Sequence, residues 1–69
     1  MRPPTVLNGN RVLSFAALPD GSCRVLVELP YNQLTPYVVA RWYPACGDSW
    51  DHGHYMASYD RAVAILHRR

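Results

Sequence analysis

At 69 residues the chain has room for one small domain, and its 49% apolar and 17% charged content places it among folded rather than disordered sequences. The net charge of +2, carried by arginine with no lysine, is too small to demand a nucleic-acid partner by itself. No apolar run approaches the roughly 20 residues of a membrane span, and the opening Met-Arg-Pro-Pro-Thr lacks the apolar centre of a secretion signal. A cytoplasmic location is therefore expected, with no membrane partner and with Cys23 and Cys46 reduced. A domain this short buries only about 60% of the surface its unfolded chain exposes, so a bound partner or a homodimer could add needed burial.

In chain order, Val6-Leu7-Asn8-Gly9-Asn10-Arg11-Val12 sets Asn-Gly between apolar pairs. Both residues tolerate positive φ, so a hairpin is expected, with a short edge strand over Thr5–Leu7. The first long strand spans Arg11–Leu18, with Leu13, Phe15 and Ala17 sharing the expected core face. Pro19-Asp20-Gly21-Ser22 is a tight turn. Cys23–Leu29 alternates cleanly, with Cys23, Val25, Val27 and Leu29 on one side and Arg24, Leu26 and Glu28 on the other. Pro30 and Pro36 bracket a connection with space for one helical turn.

Tyr37–Tyr43 is rich in β-branched and aromatic residues and reads as the next strand. Val38, Ala40 and Trp42 are expected to face the core, and Tyr37, Val39, Arg41 and Tyr43 the solvent. Ala45–Gly53 reads as a loop, and His54–Ala57 as a short fourth strand. Ser58 is a helix N-cap with Asp60 near the positive helix end. Tyr59, Ala62, Val63 and Leu66 form an apolar stripe at helical spacing on a helix running to about Arg68. The expectation is an α+β fold, a three- to four-stranded antiparallel meander with one C-terminal helix packed on one face, in a single domain over 1–69.

The run Tyr37-Val38-Val39-Ala40-Arg41-Trp42, then Gly53-His54-Tyr55-Met56, then Ala62 and a terminal arginine, resembles a pattern in small uncharacterised proteins of actinobacteria and their phages. There, a Tyr-Val-Val strand precedes a Gly-His-Tyr-aromatic step and a short terminal helix. The resemblance covers about half of this chain and departs at Met56, where an aromatic is usual, and at the longer loop that holds Cys46. It implies this fold and a mobile-element origin, and it transfers no catalytic or binding residue.

Three groups of residues carry possible chemistry. Cys46, Asp48, Asp51, His52 and His54 include every ligand type zinc uses, but the paired Cys-x2-Cys and His-x3-His spacings are missing. No metal is therefore expected, with Cys46, His52 and His54 as the candidates should one bind. No catalytic constellation and no phosphate-cradling loop is present, so neither an enzyme nor a cofactor is expected. The sheet face carrying Arg24, Tyr37, Arg41 and Tyr43 combines arginine with rigid aromatics, the residue types that anchor protein interfaces and also stack on bases. Glu28 on the same face favours protein over nucleic acid, and the ordinary alternative is a solvated face with a cross-strand Glu28–Arg41 pair. Trp50 in its polar loop is either a lid on the core or an exposed anchor.

These readings converge on a non-enzymatic binding module. Arg24, Tyr37, Arg41, Tyr43, Trp50 and His52 are its expected contacts to a larger host protein. An inhibitor acting by surface occlusion, anti-CRISPR-like in kind, fits the phage resemblance. A nucleic-acid-binding regulator using the same face is the alternative, followed by a zinc-stabilised domain.

Overall fold

The computed structural model describes residues 2–68. Five antiparallel strands follow one another in sheet order β1-β2-β3-β4-β5: β1 Val6–Leu7, β2 Asn10–Ala17, β3 Cys23–Glu28, β4 Tyr37–Trp42 and β5 Asp51–Met56. Helix α1, Tyr59–Leu66, closes the chain. The class is the expected α+β meander, with five strands in place of three or four. The expected short strand at 54–57 is a full strand that begins three residues earlier. The helix ends at Leu66 rather than near Arg68, with His67 as its C-cap. No helical turn forms between Pro30 and Pro36.

Local chemistry sets the tight turns. Asn8 and Gly9 both take positive φ, 50° and 76°, as a two-residue hairpin between twisted strands requires, and Val6 pairs with Arg11 across it. At the next turn Gly21 has φ 87°, and the Leu18 N–H donates to the Ser22 carbonyl.

The sheet is buried on both sides, because it curls. On the first side Leu7, Cys23, Val25, Val27, Val38, Ala40 and Trp42 form a core, joined by Val12, Phe15, Leu29, Cys46 and Trp50. The β1–β2 hairpin and the loop after β4 close over it, tied where the Asn8 N–H donates to the Asp48 carbonyl at 2.6 Å. Trp42 is fixed there by its indole N–H, which donates to the Gly47 carbonyl at 2.8 Å.

The second side is covered by α1. Ala62 and Leu66, one turn apart, are fully buried against Leu26 and Val39. The Ser58 hydroxyl accepts from the Arg61 N–H and caps the helix as its sequence predicts. This placement corrects the sequence reading. The face holding Arg24, Tyr37, Val39 and Arg41 is not a solvated platform but the seat of the helix.

Two β-bulges account for the other differences. On β2, Val12 pairs with Val27 but Ser14 pairs with the very next residue, Leu26, so Leu13 is an extra residue. The expected face of Leu13, Phe15 and Ala17 is thereby split. Phe15 joins Val12 in the first core, Leu13 joins Ala16 beneath the helix, and Ala17 is exposed. The second bulge lies in β5 and shapes the site below.

Candidate functional site: a cationic cleft at the helix C-terminus

Where the end of α1 meets β3, β4 and β5, the surface opens into a cleft of about 340 Å³. Its walls are Arg24, Val39, Ala40, Arg41, His52, His54, Ile65 and Arg68. That volume is at the lower end of the range for small-molecule sites. Three arginines and two histidines line the cleft, and no carboxylate does so among the described residues.

Arg24 and Arg41 are direct cross-strand partners. Directly opposed like charges destabilise a sheet, so this pair needs a compensation. Arg24 has part of one. Its Nη1 donates to the carbonyls of Ile65 and Leu66 at 3.2 Å and of Arg68 at 2.6 Å. The carbonyls of Leu66 and Arg68 lie at and just past the last helical turn, near the negative pole of the helix dipole, while that of Ile65 also accepts from the Arg68 N–H at 3.1 Å. Arg24 therefore fastens α1 to the sheet while holding its guanidinium at the cleft.

Arg41 has no such partner in the helix. The Tyr43 side chain interacts with its guanidinium and raises its pKa above the usual arginine value, and Asp20 adds a weaker pull. Asp20 is itself engaged elsewhere. The Ser22 hydroxyl and N–H both donate to its Oδ1, and these bonds hold its pKa below 3.8, with Arg41 a smaller cause. The sequence-based pairing of Glu28 with Arg41 does not form, because Glu28 lies opposite Tyr37.

The histidines reach the cleft through the β5 bulge. Val39 pairs with His54 and Arg41 with Asp51, so His52 and Gly53 together oppose Ala40. His52 takes φ 51°, in the left-handed region that non-glycine residues seldom adopt. Gly53 is closely surrounded: a Cβ there would stand 3.0 Å from Val38 Cγ2 and 3.2 Å from both Trp50 Nε1 and Tyr55 Cε1, so a larger residue would have to push these side chains aside.

Of the residues singled out from sequence, Arg24, Arg41 and His52 come together here, with Tyr43 as the support of Arg41. His54, a candidate metal ligand in the sequence, joins them. Tyr37 lies outside, half-buried with its ring edge-on to Tyr59 at 5.5 Å between centroids. Trp50 does not line the cleft. It is half-buried against the first core, which favours the lid over the exposed anchor. Cys46 packs on that same core while His52 and His54 line the cleft, and no three His, Cys, Asp or Glu side chains gather around a metal position among the described residues.

Sequence reasoning missed Ile65 and Arg68 as wall residues, and the pair Tyr31 and Leu34. Arg68 enters the sequence reading only as the approximate end of the helix, which says nothing of what lies opposite. Tyr31 and Leu34 protrude from the β3–β4 loop with 96% and 84% of their surface exposed. The loop is braced by the Leu29 N–H on the Pro36 carbonyl at 2.7 Å and by the Thr35 N–H on Asn32 Oδ1 at 3.1 Å. No helix is long and apolar enough to cross a membrane among the described residues.

Comparison with protein-family models, with curated proteins and with solved structures returns no match. The chemistry of the cleft is what remains to read.

Proposed function

We propose that the chain is a small non-enzymatic binding module that docks a larger protein by an acidic surface, with the cleft as its contact. The observation that carries this reading is the gathering of Arg24, Arg41, Arg68, His52 and His54 around one opening with no carboxylate in its described wall. Arginine suits the role, because its planar fork meets carboxylates in paired hydrogen bonds and is more weakly hydrated than lysine. The braced loop bearing Tyr31 and Leu34 supports a protein partner too, since exposed apolar side chains on a fixed support are ready interface anchors. Inhibition of a host protein by occlusion, in the manner of an anti-CRISPR factor, fits the small size and the resemblance read from residues 37–42 and 53–56.

The nucleic-acid alternative has the weaker support. The sheet face that was to stack bases lies beneath α1, with Leu26 and Val39 buried. Asp20 near Arg41 and Asp51 opposite it also temper the field for a polyanion.

Affinity capture from a nuclease-treated bacterial lysate tests the proposal when wild type and Arg41→Glu are compared. A discrete protein retained by wild type and lost by Arg41→Glu is expected, with capture weakening as salt rises. Equal capture by both proteins overturns the cleft as the contact, and capture abolished by nuclease moves the reading to nucleic acid.

A further inference from the structure

We infer that the cleft is a site for a tetrahedral oxyanion of the phosphomonoester type, an assignment that rests on the docking reading above and names the group it recognises. Arg24 and Arg41 stand directly opposite each other, and Arg68 closes the third side. Part of the Arg24 charge is balanced by the helix end it bonds, and part of the Arg41 field by Asp20. Asp51, opposite Arg41, offsets a further part, yet three guanidiniums outnumber the two carboxylates near them and leave a positive cleft that an oxyanion complements.

Donor number points the same way. Each guanidinium has five N–H donors, and an imidazole has at least one in either protonation state. Arg24 uses only Nη1 on the helix carbonyls, leaving its Nη2 and Nε donors for a ligand. A phosphomonoester presents three terminal oxygens that can be met from several directions, whereas a carboxylate presents two in one plane. The walls of this cleft supply donors from β3, β4, β5 and the end of α1, which is the arrangement a tetrahedral group requires. Arg24 is also held in advance by three carbonyls, so little ordering of that side chain is left for the binding step. His52 completes the set from a backbone conformation that costs energy, a cost tolerated most often at functional sites.

The test is a titration of the purified full chain, followed by amide shifts in two-dimensional NMR, with inorganic phosphate, sulfate and acetate at constant ionic strength. Phosphate and sulfate are expected to saturate shifts at residues around the cleft with one-to-one stoichiometry, and acetate to bind at least about tenfold more weakly. Arg41→Gln and Arg68→Gln each weaken phosphate by roughly tenfold or more while keeping the dispersed spectrum of the folded chain. Arg24 is not used as the variant because it also holds the helix. A phosphoserine peptide that outbinds phosphate places the group on a modified partner segment, and equal binding places it on free phosphate; both outcomes uphold the site. Non-saturating shifts, or acetate binding as tightly as phosphate, overturn the assignment. Should that happen while Arg41-dependent capture persists, the docking reading stands with carboxylates as the recognised groups; loss of Arg41 dependence in capture fails the docking reading on its own evidence.

Discussion

At the scale of single residues, His52 shows the conflict between fold and site most clearly. A left-handed backbone costs an L-residue about 1–2 kcal/mol, which glycine avoids at the expense of a more flexible unfolded chain. His52→Gly is therefore expected to keep the stability of wild type or to gain up to about 1 kcal/mol in urea unfolding, while weakening partner capture. A marked loss of stability would mean that the imidazole serves the fold. Asp20 gives a prediction in pH. Its folded-state pKa lies below 3.8 because Ser22 bonds the carboxylate, so its contribution is complete above that value and is lost as pH falls through the folded-state pKa. Asp20→Ala should lower the thermal midpoint relative to wild type at pH 5 and pH 7, and the two midpoints should converge in acid below 3.8. A gap that persists into strong acid would place the effect in turn geometry rather than in charge.

At the scale of elements, α1 is too short to persist alone and depends on its seat. Leu66 is fully buried against Leu26 and Val39, and Leu66→Ala should cost roughly 2–5 kcal/mol. That is comparable to the whole stability of many domains of this size, so loss of a cooperative thermal transition is the expected result. Arg24→Met keeps an apolar stem and removes the bonds to the helix end. It should cost about 1.5–3 kcal/mol in denaturant unfolding, with the last helical turn losing amide protection first.

Much at this scale is legible in the sequence. Asn8-Gly9 and Pro19–Ser22 name their turns, β3 alternates, and Ser58 caps α1 as its position requires. The face chosen by α1 is not legible, because Arg24, Leu26, Val39 and Arg41 mix charge with apolar surface. Arginine stems can flank a packed helix as readily as they can face water. The bulges at Leu13 and at His52-Gly53 are equally hidden, since one extra residue leaves no periodic trace and the polar run Asp51–His54 does not read as a strand.

At the scale of the whole molecule, a chain of 69 residues buries both faces of its sheet by curling one over a hairpin and a loop and by covering the other with a single short helix. The cleft lies where that cover ends, which is why its members come from four separate elements and why no local motif announced it. Arg24, Arg41 and His52 could be nominated from residue type alone; that they converge, and that Arg68 completes them, follows only from the placement of α1. The protruding Tyr31 and Leu34 lie at the opposite ends of β3 and β4 from Arg24 and Arg41, so the two surfaces can be distinguished in one experiment. The most direct test of the account is an amide shift map of the isotope-labelled chain with the protein it captures. The largest perturbations are expected on Arg24, Arg41, His52, His54 and Arg68. Perturbations confined to the loop around Tyr31 and Leu34, with the cleft residues unmoved, would contradict it.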